Sequence, residues 1–207
     1  MSTSERRTQE QRSAETRKLL LAATVRSLME VGYAKTTTAG IARRAGVSRG
    51  AQTHHFPDKM ALIVSATEEM FDNFATGLEW LAADLREGPL TYDGFFDAVW
   101  ADILEGEWFY SSLEIIVAAR GDAELRGHLA PLILDLHERF ELTWSHTFVA
   151  ADPQIVTARV ALNLMMNVFR GMAVQAVLRR DEEYFREMLA ALKAILAIHV
   201  RPVRPGE

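Results

Sequence analysis

Arg49, Thr53, His54, His55 and Lys59 fall in one short stretch of this 207-residue chain, with Gly50 and Ala51 between the first two. A guanidinium can hydrogen-bond a guanine edge in bidentate fashion. Hydroxyl, imidazole and ammonium groups have the reach and polarity to contact phosphate oxygens. Gly50 and Ala51 are almost bare backbone, so an element carrying this set could approach base edges closely. The chemistry implied is recognition of duplex nucleic acid, and Thr37 and Thr38 upstream add hydroxyls for the same phosphates.

Such groups act together only if something holds them on one short helix, and the flanking residues predict that helix. Thr37 is a natural N-cap for a helix starting near Thr38, in which Ile41, Ala42 and Ala45 share an apolar face. Gly46 ends it, because glycine takes the left-handed conformation just past a helix C-terminus at little steric cost. Ser48 then caps a second helix from about Arg49 to His55. Two helices joined by about three residues and a glycine describe a helix-turn-helix. Pro57 breaks the second helix, and Asp58 caps a third near Lys59. Arg49 lies in the first turn of its helix, where free N–H groups and the helix dipole also attract phosphate.

In this stretch the chain resembles the TetR family of bacterial one-component transcriptional regulators. The elements that match are Gly32-Tyr33 at the end of an upstream helix, the threonines, Ile41-Ala42, Ala45-Gly46-Val47-Ser48, Gly50, and His54-His55-Phe56-Pro57 with Lys59. They cover Arg17 to Leu62 in order and spacing, with a local echo in Leu113 to Arg126. The family usually has a tyrosine where Thr53 stands and an aliphatic residue where Gln52 stands, so Gln52 faces either core or DNA. A Gly-Ala-Gln-x-His-His-Phe-Pro string marks a subgroup that shares this departure. The resemblance implies an operator-binding regulator, most often a repressor, that dimerises through its last two helices as a four-helix bundle and binds small apolar or aromatic effectors. No cofactor is implied.

A net charge of −5 is unsuited to a nucleic-acid partner until its distribution is read. Residues 1–60 hold 11 Lys or Arg against 5 Asp or Glu, and residues 61–207 hold 12 against 23. A basic reader is therefore joined to a larger acidic part, and only the first suits phosphate. Absence of cysteine fits a reducing cytoplasm, and no apolar run reaches the about 18 residues of a membrane span. The N-terminus has no apolar core and does not read as a secretory signal.

The expected fold is all-α: an N-terminal three-helix helix-turn-helix DNA-binding domain and a larger C-terminal helical domain for ligand binding and dimerisation. Residues 1–14 read as a flexible arm, residues 15–60 as the DNA-binding domain and residues 61–207 as the effector-binding and dimerisation domain. In the arm, Arg6, Arg7 and Arg12 either belong to a solvated tail or reach a minor groove. A first helix is expected from Glu15 to Val31, ended by Gly32. Later helices are expected over Lys59 to Leu85, Thr91 to Leu104, Glu107 to Arg120, Asp122 to Val149, Asp152 to Leu178 and Asp181 to Val200.

Two stripes mark the last two helices: Ile155, Ala158, Leu162, Met165 and Phe169, then Phe185, Met188, Leu189, Leu192, Ile195, Leu196 and His199. They serve a homodimer interface or the subunit's own core. The larger domain also carries an aromatic inventory that includes Trp80, and its candidate ligand-binding residues are Trp100, Phe109, Tyr110, His137, Trp144, Met166, Asn167 and Arg170. Asn163, Asn167 and Arg170 share a helical face, which would line a pocket or a hydrogen-bonded dimer seam. Catalytic and metal readings fail. His128, His137 and His146 recur every nine residues, about 900° of helix, so His137 faces away from the other two. No His-Glu-x-x-His, Gly-x-Ser-x-Gly or phosphate loop occurs. The alternatives kept beside an effector-released repressor are an activator or dimeric regulator without effector, and a helical-bundle enzyme or carrier.

Overall fold

The computed structural model describes residues 8–104 and 106–203. Helices dominate it in the expected order, and they pack into two compact units. The first unit takes residues up to Met70 together with Tyr110–Leu132; the second takes Phe71–Phe109 and everything from Ile133 onward.

The first unit begins with α1 (Gln9–Lys35), which starts well before Glu15 because Thr8 and Gln11 form a reciprocal capping box. Arg12 therefore lies within a helix, whereas Arg6 and Arg7 lie outside the described residues. At Gly32 the helix is interrupted by φ 75° and ψ 169°, a conformation essentially reserved for glycine. The segment after it swings Thr36 back so that its hydroxyl donates to the Gly32 carbonyl (2.8 Å) and pairs with Ser27 (3.1 Å). Next come α2 (Thr38–Ala45) and α3 (Arg49–His55), with Thr37 and Ser48 as their N-caps. Between them Gly46 sits at φ 67°, and Val47 and Gly46 donate to the Ala42 and Arg43 carbonyls. This double closure satisfies carbonyls that the end of α2 would otherwise leave open. Leu20, Leu28, Ile41, Phe56, Leu62 and Ile63 are buried together as the core that fixes the two helices.

The long α4 (Lys59–Glu87) starts where Asp58 accepts from Ala61 N (2.8 Å), and it contributes residues to both units. Thr91 caps α5 (Tyr92–Ala98), and the chain widens into a π-helical stretch, Val99–Leu104, in place of a continued α-helix. Then follow α6 (Glu107–Gly121), α7 (Ala123–Ser145), α8 (Ala158–Ala176) and α9 (Glu182–His199). Two further boundaries differ from expectation. α7 stops at Ser145 rather than Val149: Phe148 packs on Trp144 with ring centroids 4.2 Å apart, and Phe148–Ala150 (β1) pairs antiparallel with Val200–Pro202 (β2). α8 starts after Thr157, whose hydroxyl accepts from Val160 N, and not at Asp152-Pro153.

Within the second unit, Phe95, Phe96, Trp144 and Phe148 form an edge-to-face aromatic core. Trp100 packs against Phe169 and Phe185. The stripes on the last two helices divide. Leu162, Met165 and Phe169 of α8 and Phe185, Leu189, Leu192 and Leu196 of α9 are buried in the subunit's own core. The outward apolar row keeps Ile195 of the expected α9 stripe and otherwise uses other residues, Val160, Leu164 and Val174 on α8 and Ile198 on α9. An amphipathic helix gives its strongest stripe first to the nearest core, and only what remains is available to a partner. Among the described residues no helix is long and apolar enough to cross a membrane.

Candidate functional site

On α3 the side chains divide by face as a groove-reading helix requires. Arg49, Gly50, Thr53 and His54 are exposed, while Ala51 and His55 are partly covered. Gln52 points the other way: it is only 2% exposed and its Nε2 donates to the Phe56 carbonyl (2.6 Å). The question left open by the sequence is thus settled toward the core. A glutamine replaces an aliphatic residue there by tying the helix to the turn before Pro57. Thr53 donates its hydroxyl proton back to Arg49 O (3.0 Å), which leaves its oxygen lone pairs outward. Thr37 accepts from Gly40 N (3.1 Å) and keeps its own proton for an acceptor such as phosphate.

Lys59 is held more closely than its sequence position suggests. Its ammonium donates to the Tyr33 carbonyl (2.6 Å) and lies 4.0 Å from the centre of the Tyr33 ring. Burial lowers its proton affinity, and Asp122 partly offsets this. Tyr33 in turn donates its backbone N–H to Glu114 (3.3 Å) and its hydroxyl to Asp122 (3.5 Å), and burial first and Asp122 second raise the phenol's pKa. A four-residue cluster therefore pins the turn between α1 and α2 to the start of α4 and to carboxylates from α6 and the loop before α7. The sequence held no signal for this, since Glu114 and Asp122 lie far along the chain. Arg44 is paired with Glu30, whereas Arg43 and Arg49 enter no ion pair among the described residues.

The eight residues expected at a ligand site do not converge. Trp100, Phe109 and Trp144 are buried in the core of the second unit, Tyr110 belongs to the first unit, and Asn167 is exposed. His137, Met166 and Arg170 do meet, in a cleft between α7 and α8 completed by Phe140, Glu141, Leu162 and Asn163. Its free volume is about 10 Å³, room for one water. Arg170 lies 3.5 Å from His137 Nε2, and burial lowers its proton affinity. Burial, then the neighbouring guanidinium, hold the His137 pKa below the usual imidazole value, against a smaller opposing pull from Glu141.

A larger hollow of about 420 Å³ lies elsewhere in the second unit, along the face of α4 that carries Asn73, Phe74, Gly77, Trp80, Leu81 and Asp84, with Trp108 of α6 opposite. Trp108 had no signal in the sequence, because its partners sit on a different helix, well back in the chain.

Comparison with known proteins agrees with this geometry. Residues 20–66 match the family model for bacterial regulatory proteins of the tetR family. Over 183 residues the chain is 32% identical to the HTH-type transcriptional regulator CymR of Pseudomonas putida, an alignment covering 88% of this chain and 90% of that one. The fold is similar to a TetR-family regulator from Mesorhizobium loti, with a TM-score of 0.68, 19% identity and coverage of 91% and 98%. It is also similar to the multidrug binding protein EbrR complexed with imidazole, with a TM-score of 0.56, 24% identity and coverage of 85% and 93%. A helix-turn-helix built on the matched residues, carried through nearly the whole length of a curated relative, places this chain in the tetR family of bacterial transcriptional regulators and not among enzymes.

Proposed function

We propose that the protein is a homodimeric repressor that binds a palindromic operator and is released by a small apolar or aromatic effector. The observation that carries the DNA-binding part is the exposed face of α3, which presents Arg49 in the first turn with Gly50 beside it and no acidic residue in that turn. In this reading Arg49 reads a guanine, Gly50 and Ala51 allow close approach, and Thr37, Thr38, His54, His55 and Lys59 set the register on phosphates, with Thr53 joining them once its hydroxyl proton turns from Arg49 O to the phosphate. Residues 15–60 act as the reader, residues 61–207 as the effector and dimer domain, and the protein works in the cytoplasm where its DNA is.

One recognition helix covers few base pairs, so two are needed, and two-fold symmetry implies an inverted repeat. The outward row of Val160, Leu164 and Val174 with Ile195 and Ile198 supports pairing through α8 and α9, and exposed Asn167 lies along the same row of α8. Release requires an effector that prefers the non-binding arrangement, since equal affinity for both states shifts nothing. The helix α4, which starts at the reader and continues into the second unit, is the element such an effector would move.

The test is an operator obtained by genomic selection, followed by gel-shift titration across salt. Arg49→Ala costs about 1–3 kcal/mol at one base position. Lys59→Ala weakens all sequences alike and flattens the salt slope. Wild-type behaviour in both variants refutes the assignment of this helix.

A further inference from the structure

We infer that the hollow beside Trp80 and Trp108 binds an organic cation with an apolar or aromatic body, and that this is the ligand class to which the protein responds. The inference rests on the effector-responsive reading above and narrows it to a place and a chemistry.

Three observations converge. First, Trp80 is 72% exposed although it is the largest apolar side chain available, and it faces a hollow of about 420 Å³ that also contains the partly covered Trp108. That volume lies within the range of small-molecule sites, about 300–1,000 Å³. Gly77, one turn before Leu81, adds no side chain to this wall. Second, Asp84 stands one turn beyond Trp80 on the same face and enters no ion pair among the described residues. Two other acids of α4, Asp72 and Glu79, by contrast share Arg139. Third, no Lys, Arg or His among the described residues lines the hollow.

A site of two indoles and one free carboxylate has negative ring faces and a negative charge, with nothing to balance either. A carboxylate ligand would meet repulsion there, and a neutral ligand would leave Asp84 uncompensated beside it. A cation is attracted by both, and tryptophan is the strongest cation–π partner among the side chains. The apolar remainder of such a ligand would cover Phe74 and Leu81. The cleft at His137 and Arg170 has room for only one water, so it does not compete for this ligand.

The experiment uses the full-length protein and three compounds of similar size: benzyltrimethylammonium, its neutral carbon isostere neopentylbenzene, and phenylacetate. Binding is followed by calorimetry and tryptophan fluorescence, and operator release by gel shift. Benzyltrimethylammonium is expected to bind and to release operator, with the other two far weaker. Trp80→Ala and Asp84→Asn, both at exposed positions, should each weaken the cation roughly tenfold while leaving the melting temperature and operator affinity unchanged. Failure of the cation to bind in the millimolar range, or binding by both variants as tight as by wild type, overturns the inference. Preference for phenylacetate also overturns it but leaves effector response standing. Operator binding that neither the cation nor any member of a broad library of neutral and anionic compounds relieves refutes the effector reading itself.

Discussion

Replacing Gln52 with glutamate tests the orientation of the recognition helix with almost no change in side-chain volume. Gln52 is buried, and its only described partner is the Phe56 carbonyl at 2.6 Å. An ionised carboxyl has no proton to donate, so the carbonyl loses its partner and a charge is buried against it. A buried polar group left unpaired costs about 1–3 kcal/mol. Taking about 2 kcal/mol, and about 2–4 °C per kcal/mol for a chain of this size, Gln52→Glu melts roughly 4–8 °C below wild type at neutral pH. A protonated carboxyl can again donate to Phe56, so the folded state raises the proton affinity of the new group. Its deficit is therefore relieved below the unfolded midpoint near pH 4.3 and grows as pH rises through a folded midpoint roughly 1.5 pH units higher. Thermal unfolding followed by circular dichroism from pH 5 to 8, with wild type as reference, reads this directly. Base preference in operator selection stays that of wild type, because the side chain faces the core. An unchanged melting temperature with an altered base preference would show that Gln52 faces DNA and refute the reasoning.

Other consequences follow from particular geometries. Gly46→Ala, at φ 67° with open space around the new methyl, should cost about 1 kcal/mol, whereas Gly32→Ala should cost about 2–3 kcal/mol. At Gly32 the added methyl would also lie 2.9 Å from Glu114 and would loosen its bond to Tyr33; equal melting temperatures in the two variants contradict this. His137 has a depressed folded pKa, so its neutral form contributes stability present above the unfolded value of about 6.5 and lost as pH falls through the folded one. His137→Gln should accordingly flatten the acid limb of the melting profile below pH 6.5, and a variant with the wild-type limb excludes His137 as its source. Burial pushes the Tyr92 phenol up to about 12, and its hydroxyl donates to Lys193 O (3.3 Å). Stability from this group is complete below the unfolded value of about 10 and lost as pH rises through 12, so ultraviolet titration should show a tyrosine ionising near 12 that Tyr92→Phe removes.

Local rules in the sequence sufficed for the reader. Thr37, Gly46, Ser48, Pro57 and Asp58 act on their immediate neighbours through caps, a left-handed turn and a missing N–H, so α2, α3 and the start of α4 stand where those residues put them. The same holds for Asp181 at the start of α9. Periodicity also found most of the buried face of α8 and α9. It could not say what lay opposite, and most of the stripes of α8 and α9 that equally suited a partner fill the subunit's own core, while Ile195 stays outward.

Tertiary structure decided what depends on residues distant in the chain. The end of α7 is set by Phe148 packing into an aromatic cluster and by β1 pairing with β2, a strand so far along the chain that no local pattern records it. The seat of Lys59 on Tyr33, held by Glu114 and Asp122, has the same origin. So does the scattering of Trp100, Phe109, Tyr110 and Trp144 away from a common site, because an aromatic inventory fixes how much apolar surface must be buried but not which rings meet. The sequence by itself determined that this chain reads DNA, since capping and helix punctuation are short-range. Only the packed structure decided where a ligand finds room, since a hollow is what remains after every other side chain has been placed.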